Sequence, residues 1–232
     1  VCGRYSLATP DPSAVRQRFG IDERVEVRRR FNVAPGDDVL AVTAARDGAP
    51  RGEVLRWGLV PHWAGDPASL GLKLINARSE SVADKPAFRD AFASRRCLIL
   101  ADGFYEWERR PAGAKQPWWV TRADGAPFAF AGLWATWHGR PDVEPLRTCA
   151  IVTTQASADL APIHDRMPVM LDREGEAAWL DGAAAPADLL GLCVALADTA
   201  RRAVGPAVSD ARYDGPDCLA AAEPAVEQAS LF

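Results

Sequence analysis

Lysine is scarce in this 232-residue chain: it occurs only at 73, 85 and 115, so basic charge is carried almost wholly by arginine. Arginine suits bidentate phosphate contacts, and a GC-rich coding sequence accounts for the same bias equally well. A formal charge of −4 at pH 7 excludes a globally basic nucleic-acid binder, so any DNA contact has to come from a local cluster. Cysteine is also thin. The five, at 2, 97, 149, 193 and 218, are odd in number, far apart and without a Cys-x-x-Cys pair. That pattern argues against a disulfide framework or a zinc site and points to a reducing cytoplasm. Apolar runs near 18 residues and basic-then-apolar leaders are missing, so a soluble protein without a membrane span is expected. Missing too are a phosphate-cradling Gly-x-x-x-x-Gly-Lys, a His-Glu-x-x-His, a Gly-x-Ser-x-Gly and a dinucleotide fingerprint. Nothing calls for a cofactor or a metal.

What is present is enough for a sizeable core: 48% of residues are hydrophobic, with eight Trp and eight Phe. One domain over 1–232 is expected, its core about 2–220 and an Ala/Pro-rich tail about 221–232. Asp11-Pro12, then Val15 and Phe19, closed by Gly20, reads as a capped helix. Strands are expected at 39–44, 54–60, 97–101, 104–108, 118–122, 127–137 and 148–154, and short helices at 86–93, 172–180 and 187–192. The alanine-rich stretch after the last helix is expected to be the least ordered part.

Cys2 stands out because removal of residue 1 would give it an α-amine beside its thiol. An amine of pKa near 7.7–8.0 is about a quarter to a third neutral at pH 7.4, and a thiol near 8.5 is a few per cent thiolate. The amine can attack a carbonyl to give an imine. The neighbouring sulfur then closes a five-membered thiazolidine, and that step is intramolecular. A packed small residue is the alternative use of a cysteine here.

Other polar candidates are scattered. Asn76, one of two asparagines, lies two residues from Arg78, so in an extended segment both share a face. Glu106 sits between Tyr105 and Trp107; exposed it is an ordinary carboxylate, and buried it has a raised pKa suited to proton shuttling. His164, one of three histidines, is flanked by Pro162 and Pro168, and in an extended segment it points the same way as Arg166. The stretch Arg56 to Trp63 offers either a stacking surface for a base or a core corner.

Six blocks then carry a resemblance: Cys2-Gly3-Arg4-Tyr5, Asn32-Val33-Ala34-Pro35, Trp57-Gly58-Leu59-Val60-Pro61, Asn76-Ala77-Arg78-Ser79-Glu80, Gly103-Phe104-Tyr105-Glu106-Trp107 and His164-Asp165-Arg166-Met167-Pro168. Together, in this order, they resemble the SOS-response-associated peptidase (SRAP) family. The resemblance implies a single α+β domain, mainly antiparallel sheet with a barrel-like core flanked by short helices. It implies a sensor of abasic sites in single-stranded DNA that crosslinks to the ring-opened sugar through Cys2, with self-processing peptidase and lyase-like activity in the SOS response to DNA damage. Carried over, Cys2, Asn76, Glu106 and His164 would be catalytic, and Arg4, Trp63, Arg78, Trp107 and Arg166 would bind DNA. Replication-fork partners, a cytoplasmic, nucleoid-associated location and a monomer follow as expectations.

Two departures qualify the match. Val1 stands where an initiator methionine is expected; a GUG start codon written literally accounts for it, whereas a retained residue 1 would acylate the amine. The region from Val208 to Pro216 matches only loosely, and no function is carried onto it. The rivals are an N-terminal-nucleophile cysteine amidohydrolase, a general cysteine protease and a non-covalent reader of single-stranded or modified DNA. The first would want an isoleucine after Cys-Gly, and Arg4 stands there.

Overall fold

The computed structural model describes residues 2–9, 11–45, 48–110, 115–139 and 144–222. Among the described residues the strands are β1 (Tyr5–Leu7), β2 (Arg30–Val33), β3 (Asp38–Ala44), β4 (Pro50–Trp57), β5 (Asn76–Arg78), β6 (Arg96–Ala101), β7 (Gly103–Arg109), β8 (Lys115–Arg122), β9 (Phe128–Trp137), β10 (Leu146–Gln155), β11 (Arg166–Pro168), β12 (Met170–Leu171) and β13 (Thr199–Ala203). The helices are α1 (Pro12–Phe19), α2 (Pro67–Gly71), α3 (Arg89–Ser94), α4 (Arg173–Leu180) and α5 (Pro186–Gly191). The chain is the expected α+β domain with a mainly antiparallel, barrel-like core. No helix among the described residues is long and apolar enough to cross a membrane.

Five strands close into a barrel, in the order β10, β4, β3, β6, β9 and back to β10, with β10–β4 the one parallel pairing in the ring. Closure explains the sequence of β6 and β9, which are buried on both faces and read as nearly continuous apolar runs rather than alternations. One face of each barrel strand supplies the interior: Ala41, Leu55 and Trp57, Ile99, Phe130 and Ile151. Tyr5 enters that interior, its ring 5.4 Å from Trp57 and 5.6 Å from Phe130. The other face of β6, β9 and β10 lies under α1, α3 and α4 through Val15, Phe19, Phe92 and Trp179.

A second sheet, ordered β13-β8-β7-β1-β2, lies against the barrel. Asp102-Gly103 is therefore the crossing from β6 in one sheet to β7 in the other, and not a hairpin turn. The Asp102 carboxylate accepts from Ser6 Oγ at 2.6 Å, Ala8 N at 2.7 Å and Thr9 Oγ1 at 3.1 Å, which ties the start of the chain to this crossing. Gly103 is required there: a Cβ would lie 2.2 Å from Trp119 Nε1.

Helix α1 has the expected caps, Asp11 accepting from Ser13 N and Gly20 at φ 63°. Strand β4 departs from expectation, starting at Pro50 and ending at Trp57, because Gly58 turns to φ 132° against the backbone of Gly71. Part of the alanine-rich stretch after the last helix is built into the fold. Strand β13 pairs with β8, and Asn32 Nδ2 donates to the carbonyls of Asp210 (2.9 Å) and Tyr213 (2.7 Å), so the loosely matching region is pinned to β2. The expected tail lies beyond the described residues except for 221 and 222.

Candidate functional site

Cys2 precedes β1 and is fully buried in the cluster that fills the barrel. Burial, with the nearby charge of Glu106, pushes its thiol far above the ordinary range. Its Sγ lies 3.8 Å from the Arg4 carbonyl. Asn76 opens β5, whose parallel pairing with β10 sets Asn76 opposite Ile151. From there Asn76 Nδ2 donates to the Cys2 carbonyl at 2.9 Å, while its Oδ1 is buried with no partner among the described residues.

Glu106 is brought beside this segment by register. Strand β1 pairs antiparallel with β7 at Tyr5↔Phe104, and extending that pairing by two residues sets Glu106 opposite Gly3. Across β8 its neighbour is Trp118. Glu106 is buried, and desolvation is the main cause that raises its carboxyl above the ordinary carboxylate range. The charge of Asp165 also raises it, which links Glu106 to the His164 loop.

His164 sits just before β11, partly buried, and burial lowers its pKa. Its Nδ1 accepts from Arg166 N at 3.0 Å and lies 2.9 Å from Asp165 Oδ1, so the backbone donor and the carboxylate favour opposite protonation of the same nitrogen. The charge of Arg109 also lowers its pKa. Cys2, Asn76 and Glu106 thus meet at the barrel mouth, with His164 on the adjoining loop.

The expected DNA-contacting residues separate into groups. Arg4 turns into the fold: Nη1 donates to Asn32 Oδ1 (3.0 Å) and the Val208 carbonyl (2.8 Å), and the guanidinium lies 5.9 Å from the Trp107 ring. Trp107 donates to Ser209 Oγ at 3.2 Å. Arg4 and Trp107 line an open cleft of about 510 Å³ together with Gly3, Glu106, Lys115 and Ser209. Arg166 is held by Glu80 and by the Thr153 carbonyl. Arg78 is exposed, and no hydrogen bond or ion pair among the described residues engages its side chain. Trp63, 53% exposed, lines a different groove with His62, Pro86, Trp134 and His138. That groove lies toward the other end of β10: Trp137, opposite Leu146, donates to the Ala64 carbonyl, and Leu146 is about five residues, roughly 17 Å of strand, from Ile151.

Residues with no role assigned from the sequence also belong to this region: Trp118, Glu80, Asp165, Lys115 and Ser209. Glu80 and Asp165 lay inside matched blocks, and only the fold shows what they touch. Ser209 lay in the loosely matching region, where no motif pointed to it.

A cysteine buried at a barrel mouth, with an amide on its backbone and a raised carboxyl beside it, defines a cysteine-centred site on a barrel-cored α+β fold. The chain belongs to the SOS response associated peptidase (SRAP) family, whose model matches residues 1–211. It is similar to the abasic site processing protein YoqW of Bacillus subtilis, 42% identical over 185 residues, which cover 78% of this chain and 80% of that protein. It is also similar to the abasic site processing protein HMCES of Gallus gallus, 34% identical over 188 residues, 71% of this chain and 56% of the relative. Among solved structures, a Bacteroides thetaiotaomicron protein matches with a TM-score of 0.87 over 96% of this chain and 100% of its own, at 22% identity, a likeness of fold. A Bordetella bronchiseptica protein matches with a TM-score of 0.74 at 27% identity, over 88% of this chain and 100% of its own.

Proposed function

We propose that this protein processes abasic sites in single-stranded DNA by covalent capture on Cys2, once whatever precedes that residue has been removed. The hydrogen bond from Asn76 Nδ2 to the Cys2 carbonyl carries this reading. It orients the backbone of the one residue whose amine and thiol must both reach the sugar aldehyde. The α-amine attacks the aldehyde carbon and water is lost, leaving an imine. The thiol then adds across the carbon–nitrogen double bond, sulfur to carbon and its proton to nitrogen, closing the thiazolidine.

Glu106, with its raised carboxyl, relays protons to and from the amine and the departing water. His164, neutral near pH 7, assists opening of the sugar ring and reversal of the link. Burial keeps the resting thiol protonated, so sulfur acts after the imine has formed rather than as a free thiolate. An imine without ring closure acidifies the neighbouring sugar proton and permits strand cleavage, the lyase-like side of the same chemistry. Removal of the residue before Cys2 is the self-processing step that the family's peptidase name suggests.

The test is denaturing electrophoresis of the protein after incubation with a single-stranded oligonucleotide bearing one abasic site, with intact-mass analysis and Cys2→Ala beside it. A heat-stable shifted band that needs both the abasic site and Cys2 is expected. A protein with a free N-terminal cysteine that yields no adduct overturns the reading.

A further inference from the structure

Strands β7 and β8 end in a pair of like charges. Arg109 and Lys115 are direct cross-strand partners, so their side chains leave the same face of the sheet. Like charges directly opposite one another weaken a sheet. Among the described residues neither side chain makes an ion pair or hydrogen bond, and both are exposed. The neighbouring acid, Glu108, lies one residue away on the opposite face, where it accepts from Trp118 Nε1 at 3.0 Å and faces Arg110 at 3.8 Å.

The pair is also tied to the site from two sides. Lys115 lines the cleft that runs past Gly3, Arg4 and Glu106, and the charge of Arg109 is felt at His164. Within that cleft the guanidinium of Arg4 is already committed to Asn32 and Val208, and Lys115 is the remaining cation among the lining residues. An exposed cation pair with no ion pair among the described residues, beside an open cleft, suits a polyanion, since neutralising backbone phosphates releases counterions and needs no sequence readout.

We infer that Arg109 and Lys115 form a phosphate clamp for single-stranded nucleic acid, holding the sugar-phosphate backbone along the cleft lined by Gly3, next in sequence to Cys2, and by Arg4, Trp107 and Lys115. The inference rests on the proposed reading that this site takes single-stranded DNA. Its ligand is the phosphodiester backbone itself, so the clamp acts on intact strands as well as abasic ones.

The experiment compares wild type, the Arg109→Gln/Lys115→Gln double variant and an Arg24→Gln/Arg28→Gln control. The control removes the same charge from exposed arginines that are paired with Asp22 and Glu26. Affinity for a fluorescent single-stranded oligonucleotide without a lesion is measured from 50 to 200 mM salt, and crosslinking to the abasic version is followed in parallel. Loss of two single-strand phosphate contacts flattens the slope of log K against log salt by about 1.4, so wild type loses about sevenfold more affinity than the clamp variant over that range. The control keeps the wild-type slope, and each single variant falls midway. All substituted side chains are exposed, so folding is preserved and melting curves verify it. A clamp variant with the wild-type slope, or a control that changes as much, overturns this inference while leaving the crosslinking reading intact. A wild type that binds no single strand overturns the clamp and the DNA reading together; one that binds but forms no adduct overturns covalent capture alone.

Discussion

Arg166 forks onto Glu80, Nη1 to Oε1 at 2.5 Å and Nη2 to Oε2 at 3.0 Å, and so joins the segment that carries His164 to the segment that carries Asn76. The two partners contribute unequally: the Arg166 side chain is 12% exposed and that of Glu80 is 55% exposed. Arg166 also donates to the Thr153 carbonyl at 2.7 Å, between the two segments.

Glu80→Gln is therefore expected to cost under about 1 kcal/mol in urea denaturation, because a half-exposed pair is screened by water. Arg166→Ala should cost about 2–3 kcal/mol, since it also strips the Thr153 carbonyl of its donor. Arg166 holds the Glu80 carboxyl below its ordinary range, so its contribution is complete above the unfolded value of about 4.3 and fades as pH falls through the lower folded one. The gap between wild type and Glu80→Gln should be present at pH 7 and close in acid. A gap that widens on acidification contradicts this account.

Asn76→Ala removes one hydrogen bond to the Cys2 backbone. A loss of about 1–1.5 kcal/mol of orientation corresponds to roughly tenfold slower adduct formation. Single-turnover crosslinking measures it, and an unchanged rate would show that the amide does not position the reacting amine.

Glu106→Gln separates stability from chemistry. The folded carboxyl has a raised pKa through burial, so wild type loses stability as pH climbs from the unfolded value of about 4.3 through the folded one. Glutamine carries no such penalty. The variant's melting temperature relative to wild type should rise between pH 4 and pH 8, while its adduct formation slows. Parallel losses of both would assign Glu106 a purely structural role.

Cys2 should resist alkylation in the folded free protein, because burial holds the thiol protonated and shielded. Native iodoacetamide treatment followed by mass analysis should leave Cys2, Cys97, Cys149, Cys193 and Cys218 largely unmodified, since all five are buried. Denaturation should expose all of them. Cys2→Ser, which keeps the amine but loses the sulfur that closes the ring, should shift the products from adduct to strand cleavage.

Arg96 illustrates a purely structural dependence. Its buried guanidinium donates to the carbonyls of Phe92 (2.7 Å), Ala93 (2.9 Å), Trp179 (2.8 Å) and Asp181 (2.6 Å), satisfying the C-terminal ends of α3 and α4. Arg96→Ala should destabilise by about 3 kcal/mol or more, lowering the melting temperature by roughly 6–12 °C. A scanning melt checks this, and a shift within a degree would refute it.

By itself the sequence determined what local chemistry can write. Asp11 and Gly20 cap α1, the doubly apolar runs of β6 and β9 announce buried strands, and the ordered motif blocks mark the family. Only the tertiary structure decided who meets whom. Asn76 reaches Cys2 across 74 positions, and Arg166 reaches Glu80 across 86. Those meetings follow from a closed barrel and a parallel β5–β10 register. A strand buried on both faces has no polar side to reveal its register, and an edge finds its partner only when the whole sheet assembles. The same holds for much of the segment from Val208 to Asp214: the Asp214 carboxylate accepts from the backbone N–H groups of Phe31 and Asn32, and the other anchors are backbone carbonyls docked on the Asn32 amide. Backbone acceptors are alike at every residue, so no side-chain pattern could have pointed to them.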